Sequence, residues 1–176
     1  VMIAATAILR PSAFEINSID GINLSNIIEL TIGTIIGAVT STGSFVAFAK
    51  LQGIISGKAL KFKGQRFLTV IIVSLIFINS IYLCKNQTFS LFTSLALLSF
   101  ILGYLLIIPI GGADMPVVVS MLNSYSGFAA AGIGFTLGNS LLVITGSLVG
   151  SSGAILSYIM CKAMNRSIFL EDLVIM

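Results

Sequence analysis

Met115-Pro-Val-Val-Val-Ser-Met-Leu-Asn-Ser-Tyr-Ser-Gly-Phe-Ala-Ala-Ala-Gly-Ile-Gly-Phe-Thr-Leu-Gly138 carries no charged side chain from end to end. A helix of about 20 apolar residues crosses a hydrocarbon core, so this run is long enough for one passage through a membrane. Its small and polar members are not scattered. Ser120, Asn123, Gly127, Ala131, Gly134 and Gly138 recur at steps of three and four, which places them on one helix face.

Working outward, comparable apolar runs occupy Ile27–Ala49, Phe67–Cys84, Leu91–Ile110 and Leu141–Met160, and Val1–Leu9 reads as the end of a further span that begins upstream. No alternating strand pattern is present, and a span in lipid must satisfy its own backbone hydrogen bonds, so these runs are helices rather than barrel strands. Composition agrees. Of 176 residues, 57% are hydrophobic and only 9% charged, with mean hydropathy +1.11. A soluble domain carries roughly 25% charged residues. The expected fold is all-α: a polytopic transmembrane helical bundle of five full spans plus a partial N-terminal span.

Charge placement orients the bundle. With five crossings, one side holds Lys50, Lys58, Lys61, Lys63, Arg66, Lys162 and Arg166, and the other holds Arg10 and Lys85 with Glu15, Asp20 and Glu29. The positive-inside rule puts the basic side in the cytoplasm, or in the matrix of a mitochondrial inner membrane. The basic loop lacks the interleaved aromatics and folded platform of a nucleic-acid site, so no nucleic acid is expected as a partner. Cys84 and Cys161 fall at opposite faces and read as free thiols. The chain has no histidine, which excludes a Ser-His-Asp triad and any histidine-ligated metal. Gly132-Ile-Gly134 and Gly138 superficially match a dinucleotide loop, but no strand precedes them and they lie inside a span.

Two further helices carry small-residue faces: Asn26, Glu29, Gly33, Gly37, Thr40 and Ser44 on the first full span, and Gly146, Gly150, Gly153 and Ser157 on the fifth. Membrane helices associate along such seams because their backbones approach closely. The first, fourth and fifth spans are therefore expected at the bundle centre, with the second and third nearer lipid.

Five positions combine polarity with such placement. Asp114 precedes Pro116 at the head of the fourth span, where a helix cap and a functional carboxylate are equally at home. Asn123 lies two to three turns into that span, suited to an interhelical hydrogen bond or to holding water in a proton path. Ser151 and Ser152 can bond to the preceding turn of their own helix or order water in a passage. Glu29, near the outer end of the first span, reads as an interfacial carboxylate or a proton entry. Polar groups within a span are costly, about 2.5–3.5 kcal/mol for a charge at mid-bilayer, so they commonly mark a pathway or a docking surface.

Three stretches together resemble a known family: Gly111–Gly127, Gly150-Ser-Ser-Gly-Ala-Ile-Leu-Ser-Tyr-Ile-Met-Cys-Lys-Ala-Met-Asn-Arg166, and Ile36-Gly-Ala-Val-Thr-Ser-Thr-Gly-Ser-Phe-Val-Ala-Phe48. The family is the proton-translocating NAD(P)+ transhydrogenase, and the match is to the membrane domain of its beta subunit, or the same part of a fused chain. The likeness runs from Asn26 to Arg166 and is weakest over Lys58–Ser99. It implies a proton-conducting membrane part coupled to hydride transfer between NAD(H) and NADP(H), in the mitochondrial inner membrane or a bacterial-type plasma membrane.

The resemblance implies that both nucleotides bind in partner domains and no cofactor binds to this chain. Partners are then the NAD(H)- and NADP(H)-binding domains, further transhydrogenase membrane helices, lipid, and a second copy in a dimeric complex. Carried over residue by residue, Asn26, Asn123, Ser151 and Ser152 belong to the proton path, while Asp114, Gly153 and Arg166 belong to coupling with the NADP(H) domain. Counting back from Ile36-Gly37-Ala38-Val39, Asn26 stands at the position read as the family's membrane histidine, so any titrating histidine is expected from another segment.

Residues 1–166 are expected to form the translocating domain. Residues 167–176 form a short tail where the NADP(H)-binding domain is expected, so the chain reads as a fragment or split subunit. No catalytic or metal-ligating residue is assigned, and the chain alone is expected not to catalyse hydride transfer. The competing classes are a secondary transporter or channel, which needs a helix broken at mid-membrane, and a non-conducting anchor, which needs no converging polar residues.

Overall fold

The computed structural model describes residues 1–10, 17–18, 21–60 and 64–165. Arg166, the 167–176 tail, Lys61 and Lys63 lie outside the described residues. The chain is helical: α1 (Met2–Leu9), α2 (Leu24–Leu51), α3 (Gln65–Lys85), α4 (Phe89–Ile107), α5 (Met115–Thr136) and α6 (Ser140–Ala163). Five of these, α2 to α6, are long and apolar enough to cross a membrane. Between α1 and α2 stands one short antiparallel pair, Asn17–Ser18 against Gly21–Ile22, in the register Asn17 to Ile22 and Ser18 to Gly21. That pair departs from a purely helical expectation without altering the bundle.

Helix ends follow local chemistry. The third full span stops as a helix at Ile107 rather than Ile110, because Pro109 has no N–H to continue the ladder and crowds the residue before it. A single 3-10 turn, Gly112–Asp114, then leads into α5, with Pro116 in the first turn of α5, where its missing N–H costs nothing. At the far end of α5, Gly138 takes φ +61°. Asn139 N–H donates to Gly134 O at 2.9 Å and Gly138 N–H to Phe135 O at 3.1 Å, a Schellman closure. The Asn139 side chain then accepts from Leu142 N–H and starts α6. Two residues of turn chemistry thus fold α6 back antiparallel on α5.

In space the helices follow the order α6, α5, α2, α4, α3, with α1 against α2 and α4. The α5–α6 contact is backbone to backbone. A Cβ at Gly146 would lie 2.5 Å from Ala131 N and 2.7 Å from Gly127 O, and one at Gly127 would overlap Gly150 N. Across the same seam Ser124 Oγ donates to Gly150 O at 2.6 Å and Ser120 Oγ to Gly153 O at 3.1 Å. The next contact inward, α5 to α2, seats Ile133 on Gly33. At α2–α4 a Cβ on Gly103 would overlap Thr42 Oγ1 and lie 2.6 Å from Val39 O. Large apolar side chains fill the rest. Leu30, Ile72, Ile76, Leu95 and Leu102 join α2, α3 and α4, while Val46, Ile107, Met115 and Leu122 join α2, α4 and α5.

One expectation is corrected. α6 is peripheral in this chain and α4 is interior: 22% of the apolar stretch of α6 is buried, against 44% of that of α4 and 56% of that of α5. The physical reason is that a small-residue seam reports how closely a helix meets one neighbour, not how many neighbours it has. The glycines of α6 all face α5, and its remaining surface presents Leu141, Ile144, Leu148, Ile155 and Ile159 outward. α4 has few small residues, yet α2 and α3 flank it on two sides.

Candidate functional site

The polar residues of α2 and α5 meet in a groove. Gly37, Thr40, Ser41 and Ser44 line it from α2, and Val119, Leu122, Asn123 and Ser126 from α5, with Val1 also at its wall. Its volume is about 460 Å³, room for a file of waters rather than a single one. Thr40 is buried, and its hydroxyl donates back to Ile36 O at 2.8 Å, so what it can still offer is acceptor capacity. Asn123 is exposed into this groove, one row away from the seam to α6. The residue that occupies the seam at that level is Ser124, which the sequence reading passed over.

The other sequence-chosen positions fall elsewhere. Ser151 and Ser152 are exposed on α6, outside the groove. Their hydroxyls donate to their own helix: Ser151 to Ser147 O at 2.8 Å, Ser152 to Val149 O at 3.1 Å. Their neighbours Gly150 and Gly153 face inward, where the Ser124 and Ser120 hydroxyls donate to their carbonyls. Asn26 is half-buried in the first turn of α2 and does not line the groove. The structure therefore brings Asn123 together with the α2 hydroxyls, and leaves Asn26, Ser151 and Ser152 apart from them.

Two polar contacts mark the ends of the groove helices. At one end, Thr136 Oγ1 of α5 donates to Glu29 Oε2 of α2 at 2.6 Å, so the half-buried carboxylate has a protein partner from the facing helix. At the other end lies Asp114, half-buried, its backbone N–H bonded to Gly111 O at 3.1 Å. Its side chain makes no capping hydrogen bond to α5 although it holds the N-cap position. The carboxylate is thus not used for the commonest local purpose of an aspartate at a helix start.

In the sequence Lys50 is only one more positive charge. It is 4% exposed, and its ammonium donates to the carbonyls of Ile108 (2.5 Å), Ile110 (2.8 Å) and Ile107 (3.4 Å) at the C-terminus of α4. A lysine in the last turn of an apolar helix, Phe48-Ala49-Lys50-Leu51, was the only available signal.

The chain that carries this groove has relatives among known proteins. The model of the family described as NAD(P) transhydrogenase beta subunit matches residues 1–171. The chain belongs to that family. Two relatives, both from Rhodospirillum rubrum and both named NAD(P) transhydrogenase subunit beta, are each 54% identical over 169 residues. The match covers 96% of this chain and 36% of each relative, so the chain spans about a third of their length. With five spanning helices, it is an integral membrane member of the family.

Proposed function

We propose that this chain is the proton-conducting membrane part of a transhydrogenase that couples hydride transfer between NAD(H) and NADP(H) to proton translocation. The observation that carries the reading is the groove, where Thr40, Ser41, Ser44, Asn123 and Ser126 hold a polar line along two apolar helices. In hydrocarbon such a line is costly unless it contacts water or another polar segment. Hydroxyls and an amide hand protons along bound water without carrying charge themselves. In this reading Asn123 fixes a water by donating from its NH₂ and accepting at its carbonyl, with the α2 hydroxyls as the next partners.

The nucleotides belong to partner domains. Hydride transfer needs two nicotinamide rings in dry, preorganised pockets. Here the glycines of α2, α4, α5 and α6 lie within spans, and those at Gly33, Gly103, Gly127 and Gly146 face a neighbouring helix rather than a pyrophosphate. Asp114 and the basic residues Lys58 and Lys162 share one end of the bundle, the cytoplasmic or matrix side, and form the surface on which the NADP(H)-binding domain docks. Ser151, Ser152 and Gly153 serve coupling from α6, and Asn26 lies at the opposite end beside the Glu29 region.

The test is Asn123→Leu in the complete complex, reconstituted in sealed vesicles. Proton movement is read by a pH dye and hydride transfer by nicotinamide absorbance. Proton movement per hydride should fall severalfold while the helix pairing persists, since the α5–α6 seam is bonded through Ser120 and Ser124 and Asn123 is exposed. An unchanged ratio would remove the groove from the path.

A further inference from the structure

Three ties bind the α2–α3 segment to the end of α4 and the turn that follows it. Lys50 Nζ donates to the carbonyls of Ile107, Ile108 and Ile110. Gly112 N–H donates to Gly57 O at 2.9 Å, and Gln65 Nε2 donates to Leu105 O at 3.0 Å. Lys50 and Gln65 thereby occupy carbonyls at and just beyond the C-terminus of α4, which a helix end leaves short of partners, while Gly112 pairs with the loop after α2. Lys50 is the strongest of the three by chemistry. It is a buried cation whose three N–H donors all point at the negative end of the α4 dipole.

The position of Lys50 in the chain gives this contact a consequence. Lys50 lies on α2, about one and two-thirds and two and a half turns beyond Ser44 and Ser41, which line the groove. Its carbonyl partners Ile108 and Ile110 lead directly into Gly111–Asp114. A displacement of the Asp114 turn therefore has a short, rigid route to the groove-lining face of α2, through one side chain. Other routes run along α5 itself and through Met115, which shares a buried cluster with Val46 and Ala47 of α2; Lys50 adds the polar tie among them.

We propose that Lys50 is a positioning residue that holds the Gly111–Asp114 turn to the groove helix α2, so that events at the turn reach both walls of the groove. This rests on the reading of the groove as the proton path and of Asp114 as the docking carboxylate. It predicts that loss of the tie uncouples proton movement from hydride transfer without touching either nucleotide or the groove.

The experiment uses the complete complex in sealed vesicles. It compares Lys50→Met, which keeps the apolar stem and removes the donors, with Asp114→Asn and with the unaltered protein. Lys50→Met should lower protons moved per hydride severalfold, with the nicotinamide KM values unchanged. A disulfide between Gly57→Cys and Gly112→Cys replaces the tie covalently at a place where the two backbones already touch. Introduced into Lys50→Met, it should restore the ratio when oxidised and lose it again when reduced.

An unchanged ratio in Lys50→Met, or a lowered one that the disulfide leaves lowered, overturns the proposal. If Asp114→Asn lowers the ratio and Lys50→Met does not, the tie alone is wrong. If neither substitution lowers it, the docking reading fails as well. Should Lys50→Met not accumulate in the membrane, Lys50→Arg keeps the cation but cannot place a planar guanidinium on all three carbonyls. It is then read by the same ratio and the same disulfide, and the same outcomes decide.

Discussion

Gly146→Ala adds one methyl group at one of the tightest points of the α5–α6 seam. A Cβ there would stand 2.5 Å from Ala131 N and 2.7 Å from Gly127 O, both backbone atoms that cannot rotate aside. Comfortable separation is about 3.5–4.0 Å, so the helices must part locally by about 1 Å. A gap of that size forfeits roughly a quarter to a half of the dispersion along the seam. It also stretches the Ser124–Gly150 and Ser120–Gly153 hydrogen bonds, now 2.6 and 3.1 Å. Interhelical hydrogen bonds in membranes average about 0.6 kcal/mol each, and overpacking a tight site costs about 1–3 kcal/mol. The expected destabilisation is therefore about 2–4 kcal/mol. Gly132→Ala is the internal control. It lies on the same helix pair with nothing within 4 Å of its Cβ, and should be neutral or slightly stabilising because alanine favours the helix. The assay is SDS-driven unfolding of the assembled protein in mixed micelles, followed by circular dichroism. Equal effects of the two substitutions would refute the backbone-contact argument, since they differ only in what the methyl meets.

Thr136→Val removes the hydroxyl that bonds Glu29 while keeping the shape of the side chain. The carboxylate then loses a charge-assisted partner, and stability in the same assay should fall by about 1.5–3 kcal/mol; a change below 0.5 kcal/mol on the scale of ordinary surface substitutions would show that water serves Glu29 equally well. Topology is checked with Lys61→Cys and Lys85→Cys and an impermeant thiol reagent. Position 61 should label from the cytoplasmic or matrix side and position 85 from the other, and the reverse pattern would overturn the orientation.

The spans were legible because their signal is local. Ile27–Ala49 became Leu24–Leu51, Phe67–Cys84 became Gln65–Lys85, and Leu141–Met160 became Ser140–Ala163, each moved by a few residues at the ends. Apolar length is the property that a bilayer selects, and it is written continuously along the chain. The partner of a given face is not written there. The periodic row Ser120, Asn123, Gly127 and Ala131 groups Asn123 with the seam, yet on a helix of 3.6 residues per turn steps of three and four depart from a full turn by about −60° and +40°, a spread of about 100°, the angle between neighbouring residues. Within that spread the structure gives the seam to Ser124 and turns Asn123 to α2.

Lys50 shows the deeper reason why a site is harder to read than a fold. In the sequence it belongs with Lys58 and Arg66, and the positive-inside count treats the three as equals. In the bundle only Lys50 is withdrawn from solvent among the three, because the end of α4 arrives beside it with carbonyls that Pro109 has prevented from continuing the helix. The donor is on one helix, the acceptors are on another, and the proline that frees them is a third, separate cause. None of the three implies the others until α2 and α4 are packed through Gly103. Spans can be read from one run of residues. A contact that links a docking turn to a polar groove needs the helix order α5, α2, α4 first, and that order follows from which glycines admit a neighbouring backbone.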